Sequence, residues 1–268
     1  KKKIIFRLII FFSFNSFSSS KCYDVDGNPL EKIGNLILIN ETKIFSGIRI
    51  CNYENNQIRT KENYLDGKLD GKSTNWNENG QISSEAIYEE DSIIHEVNFF
   101  YFENGQLHSE ENYKAGKPDG KHTSWYENGQ LHSEENYKAD KLDGKVTIWN
   151  ENNIKIIERN YKEGKKDGPW TSWDENGQIE SVINYEDDLL NGSSTYWNEK
   201  NIKYSQVSYL NGIPDGQWTW WNKKNQKTEV RNYKNGELID KTIFKYSFFS
   251  NKLKSKKIYI DGNCVNGC

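Results

Sequence analysis

The chain has 268 residues, 34% of them hydrophobic and 14% aromatic, with a formal net charge of -3. That length suits one or two ordinary domains, but the apolar content is too low for a thick aliphatic core. The acidic balance draws the chain to neither nucleic acid nor anionic membrane lipid.

Residues 1–20 read as a secretory signal peptide. Lys1, Lys2 and Lys3 form a basic start, Ile4 to Phe17 are largely apolar, and Ser18, Ser19 and Ser20 supply small residues for cleavage. The rival reading is a retained anchor, for which the apolar run is short. Cleavage near Ser20 would export the chain to the periplasm, the cell surface or the medium. Without that segment's four basic residues the charge falls to about -7. Residues 21–41 are an irregular N-terminal cap.

Residues 42–240 are a repeat array. An aromatic residue returns every 12 positions from Tyr64 to Tyr233, with one step of 13 between Tyr88 and Tyr101. Trp and Tyr mostly alternate, so the chemical repeat is 24, and Tyr101 stands where a Trp is expected. A fixed period of this length is one small unit copied along the chain. Within Gly120 to Lys138, Asn128-Gly129 separates two short segments rich in β-forming residues, a hairpin signal. The equivalents of Gly129 are Gly80, Gly105, Asn153, Gly177, Asn201 and Asn225, all residues that tolerate positive φ. A second turn is expected at Asp70-Gly71, Asp119-Gly120, Asp143-Gly144, Asp167-Gly168, Asn191-Gly192 and Asp215-Gly216. The expected fold is all-β, an elongated single-layer antiparallel sheet of about eight tandem hairpins. One unit alone buries too little to fold, whereas an array shares its faces. Residues 241–268 form a capping hairpin, turning near Ser250-Asn251, and a cysteine tail.

Strand alternation puts Leu131, Ser133, Glu135 and Tyr137 on one face. A three-residue turn with a glycine bulge would set Trp125 opposite Leu131 on that same face; a two-residue loop would shift the register by one. The expected binding stripe is Trp76, Tyr101, Trp125, Trp149, Trp173, Trp197 and Trp221. Such rings either grip a ligand or are simply the core of a thin sheet.

Cys22 and Cys51 precede the array, and Cys264 and Cys268 follow it. In an exported protein they read as disulfides, with three pairings open, of which Cys22–Cys51 and Cys264–Cys268 are the local ones. No His lies near either pair, so no metal site is expected there. His122 and His132 are placed on the polar face, away from the rings. Glu110, Glu111, Glu134 and Glu135 recur with the repeat, whereas catalysis needs a singular constellation. Neither an enzyme activity nor a cofactor is expected.

The segments WYENGQL, EENY and GKPDG, between Gly116 and Tyr137, resemble the MORN-repeat variant family, with units of the pattern Trp-Tyr-x-Asn-Gly-x-Leu, Glu-x-x-Tyr and Gly-x-x-Asp-Gly. The resemblance covers roughly residues 42–240. It implies a β-hairpin array used as a binding or scaffolding surface; some bacterial members are labelled antitoxins, and MORN repeats have been linked to phospholipid. A second likeness is to aromatic hairpin repeats that bind choline or glucan, with a shorter period. The expected function is a protein-interaction scaffold of the cell envelope or secreted space. An envelope glycan binder using the Trp/Tyr stripe and an antitoxin-like protein that neutralises a toxin are the alternatives. The sequence ENGQLHSEENYKA occurs unchanged at Glu103–Ala115 and Glu127–Ala139, which points to recent duplication or to two identical docking patches.

Overall fold

The computed structural model describes residues 21–33, 36–39 and 43–268. The signal segment 1–20 and the junction of cap and array at 41/42 lie outside the described residues. Among the described residues there is no helix, and the strands run antiparallel throughout. The chain divides into two compact units, Lys1–Ser92 and Ile93–Cys268.

In the first unit Cys22–Tyr23 pairs with Gly47–Asn52, followed in order by Ile58–Leu65, Lys68–Trp76 and Ile82–Glu89. A separate small sheet joins Leu30–Ile33, Leu36–Ile39 and Lys43–Ile44. Leu30, Ile37 and Phe45 bury together, and Ile39 and Tyr64 pack on them. Cys22 lies directly across from Cys51, with Cα atoms 4.1 Å apart and a disulfide between them.

The second unit is a run of copied hairpins. Ser92–Tyr101 pairs with Leu107–Lys114, and Gly120–Trp125 with Leu131–Lys138. The pattern continues to Gly216–Trp221 with Lys227–Lys234. A longer hairpin, Glu237–Tyr246 and Leu253–Ile260, follows, and Asn263–Asn266 folds back on it. Cys264 is bonded to Cys268. In both units the Asn-Gly turn positions keep positive φ: 80° at Gly129, 60° at Asn153 and 86° at Gly80. Each turn is closed by a backbone bond such as Gly129 N–H to Tyr126 O, 2.9 Å.

The second turn is not where the Asp-Gly pairs suggest. The chain reverses four residues earlier, at Ala115-Gly116, Ala139-Asp140, Glu163-Gly164, Asp187-Asp188 and Asn211-Gly212, and again at Asn235-Gly236, with positive φ at both positions. That is the two-residue turn whose twist matches the flanking strands. In the second unit the Asp-Gly pairs instead mark a break inside the return strand, as between Lys117–Pro118 and Gly120–Trp125, whereas Asp70-Gly71 lies within the unbroken strand Lys68–Trp76. Asp119 N–H donates to Asn112 O, and Asn112 Nδ2 donates to Lys121 O, so the break is bonded on both sides. Asn136, Asn160 and Asn184 repeat the bond to Lys145, Pro169 and Ser193. The Asp carboxylate reaches on to the following turn: Asp119 accepts from Ala139 N–H at 3.0 Å and Asp215 from Asn235 N–H at 3.0 Å. These side chains stitch copy to copy. In the step of 13, no such break occurs, and Ser92–Tyr101 is one continuous strand after the turn at Glu90-Asp91.

Gly120 is held at φ 107°, and a Cβ there would lie 3.2 Å from Asn112 Cβ; at Gly116, φ 73°, a Cβ meets nothing within 4 Å. Gly120→Ala is therefore expected to cost about 2–3 kcal/mol and Gly116→Ala about 1 kcal/mol, read as an ordered fall in urea midpoints; equal midpoints would contradict this account of the break. Cys22→Ser with Cys51→Ser is expected to remove about 2–4 kcal/mol from the first unit, seen as earlier thermal unfolding of that unit.

Candidate functional site

In every regular hairpin the register shifts by one just before the Asn-Gly turn. Ser124 pairs with Ser133, but Trp125 pairs with Leu131, so His132 is an extra residue on its strand. The Ser124 hydroxyl touches both His132 Nδ1 (3.0 Å) and Ser133 Oγ (2.7 Å), so these three side chains lie on one side. A bulge of this kind breaks the alternation. Trp125 and Leu131 consequently face away from Ser133, Glu135 and Tyr137. The Trp and Tyr series, expected to form one stripe, lie on opposite faces.

The first face carries Tyr101, Trp125, Trp149, Trp173, Trp197 and Trp221 in the second unit, and Trp76 has the same register in the first. All are half-buried. Its polar neighbours are ion pairs, Lys145 with Glu158 (3.0 Å) and Lys155 with Glu158 (2.9 Å). Lys155 lies 4.3 Å over the Trp173 ring and Lys203 4.4 Å over Trp221, in cation–π contact. The chain's own lysines thus cover part of this stripe.

The second face is a ring ladder whose bridging members were not picked out from the sequence. Trp170 sits between Tyr161 and Tyr185, at 5.3 and 5.1 Å, and Trp218 between Tyr209 and Tyr233, at 5.3 and 4.7 Å. His122 takes the same place between Tyr113 and Tyr137, at 5.4 and 4.6 Å. It therefore lies among the rings, not opposite them. Each bridging ring is pinned by an N–H···O=C bond ten residues back: His122 Nε2 with Asn112 O, Trp170 Nε1 with Asn160 O and Trp218 Nε1 with Ser208 O, at 2.8–3.0 Å. A Trp or His three residues before the stripe Trp, recurring at multiples of 24, was the legible signal. Buried side chains in the array are small, such as Ser133, Val146, Thr147, Ser194 and Val207, and the rings stay half in solvent.

Around His122 the ladder opens into a groove of about 650 Å³, lined also by Glu111, Tyr113, Ser124, Glu135 and Tyr137. Tyr113 and Tyr137 each donate to the carboxylate two residues back, Glu111 and Glu135, at 2.6 Å. The bond to the Glu111 carboxylate, with burial, pushes the Tyr113 phenol up to about 12. Burial first, then the Glu135 bond, pushes Tyr137 up as well. Among the described residues no group of His, Cys, Asp and Glu is arranged to hold a metal ion.

Fold and faces together define a tandem β-hairpin repeat protein. The MORN repeat variant family model matches residues 69–90, 97–115, 118–139 and 166–187. The four matched stretches are MORN repeat variants within the hairpin array. No curated protein matches it. Among solved structures it is similar to the crystal structure of TcdB2-TccC3, at 8% identity and TM-score 0.22, over 90% of this chain and 17% of that one. It is also similar to TcdB2-TccC3-Cdc42, at 8% identity and TM-score 0.19, over 88% and 16%. The chain thus spans about a sixth of each of these two structures.

The folded state holds the Tyr113 proton more tightly than the unfolded chain, whose phenol ionises near 10.0. Its contribution to stability is complete below pH 10 and is lost as pH rises from about 10 to about 12. Glu111→Gln is expected to move that phenol's ionisation back toward 10.0, visible as an earlier rise in tyrosinate absorbance; an unchanged titration would mean the hydrogen bond does not govern it.

Proposed function

We propose that the protein is a non-catalytic interaction scaffold of the cell envelope or secreted space, and that it docks a protein partner on the Tyr-bearing face. The observation that carries this reading is the ring ladder around His122, Trp170 and Trp218: half-exposed aromatic side chains, repeated and already locked by hydrogen bonds. Rings of this kind contribute large contact area while losing little side-chain freedom on binding. Two paired cysteines at each end of the described chain support an oxidising compartment. The acids support a non-catalytic reading because Glu111 and Glu135 are copies of one arrangement, each bonded to its own Tyr. The glycan alternative relied on the Trp stripe, whose rings at Trp173 and Trp221 already carry lysines.

Immobilised chain is expected to recover one discrete protein from envelope extract, and urea-unfolded chain is expected to recover none. Repeated recovery of nothing, or equal recovery by the unfolded chain, would count against the scaffold. A reporter fused after the array is expected to be active outside the cytoplasm; cytoplasmic activity alone would remove the envelope assignment.

A further inference from the structure

The first repeat contains its own ligand for the face described above. In it Arg49 lies directly across from Glu62, and its Nη1 donates to Glu62 Oε2 at 2.8 Å and reaches Tyr64 OH at 3.5 Å. Tyr64 OH in turn donates to the same carboxylate. A Glu-x-Tyr pair therefore holds one guanidinium.

The groove in the second unit has the same pair twice, Glu111 with Tyr113 and Glu135 with Tyr137, each with the Tyr hydroxyl on the carboxylate. The register position of Arg49, across from the Glu, is taken by His122 opposite Glu135 and by Asn98 opposite Glu111. The His122 ring sits tilted between the two Tyr rings and is bonded to Asn112 O. Among the described residues neither Glu111 nor Glu135 has a Lys or Arg within ion-pair distance. No Lys or Arg lines the groove either, whereas Asp140 does. Elsewhere on this face the chain again supplies its own cation. The position of Glu135 is Arg159 and then Arg231 in later copies, stacked 4.8 Å over Trp170 and 5.0 Å over Trp220.

We propose that the groove around His122 takes arginine side chains from an extended segment of the partner protein. Glu111 and Glu135 would be the acceptors, and the Tyr113 and Tyr137 rings the flanking walls. A carboxylate matches the planar guanidinium fork, and the ring faces favour a cation, so arginine is preferred to lysine. Two identical copies of Glu-x-Tyr offer two seats on successive hairpins. The proposal rests on the scaffold reading and names the chemistry of its partner.

The test is fluorescence anisotropy with a labelled Gly-Arg-Gly-Arg-Gly-Arg peptide, its lysine and glutamine analogues, and a glucosamine oligomer, on the full chain at physiological salt. The arginine peptide is expected to bind most tightly. Glu111→Gln with Glu135→Gln is expected to weaken it about tenfold or more. Glu110→Gln with Glu134→Gln removes equal charge from the opposite face and is expected to change it less than about twofold. His122→Arg places a cation where Arg49 stands in the first repeat and is also expected to block the peptide, with an unchanged circular dichroism spectrum. The inference is overturned by an absence of peptide binding, by equal losses in the two double variants, or by preference for the glucosamine oligomer. If the peptide fails while envelope extract still yields a discrete partner, this inference falls and the scaffold reading stands.

Discussion

The extra residue at each hairpin tip, His132 in the central copy, governs what the two faces contain. Without it Trp125 would join Tyr137, and all the large rings would crowd one side of the sheet. With it, the alternation resets once per copy, and each face receives its own series. One face becomes Trp interleaved with Lys–Glu pairs, and the other becomes Tyr bridged by Trp or His. A single-layer sheet has no second layer to cover either face. Dividing the rings lets both sides bury some apolar area while keeping the side chains half in solvent.

Stacking of copies depends on a second set of contacts that run along the array rather than within a hairpin. The Asn on the outgoing strand bonds the carbonyl beyond the break, and the Asp before the glycine accepts from the next turn 20 residues on. At the other end, Tyr126 OH donates to Trp149 O and Asn128 Nδ2 to Glu151 O. These bonds fix each hairpin against its successor, which is how a unit too small to fold alone gains a defined shape. Buried positions in the array are filled mostly by Ser, Thr and Val, small side chains that fit between closely packed copies.

The ladder gives one structural plan different chemistry from copy to copy. The bridging position is His122, Val146, Trp170, Ser194 and Trp218 in successive units. Where it is Trp, the rings fill the face and the chain's own Arg lies on them. Where it is His, and Ser133 and Ser124 lie beside it, space and negative charge remain. Variation on a constant frame is how repeat proteins place a specific site within a uniform surface.

Much of this was determined by the sequence alone. The spacing of rings dictates copied hairpins, and the Gly or Asn at each tip dictates positive φ, because few other residues tolerate it. The Asp-Gly pairs were legible as special backbone but misleading as turns: Gly120 is needed for the close approach to Asn112, while the reversal itself falls on Ala115-Gly116 and even Ala139-Asp140, which carry weak turn signals. Only the tertiary structure decided the faces. Whether Trp125 lies with Tyr137 or against it turns on one unpaired residue, and both registers satisfy the local preferences of the strands. The choice between them comes from packing each copy against the next, and so does the placing of His122 between two tyrosines whose hydroxyls hold the Glu111 and Glu135 carboxylates.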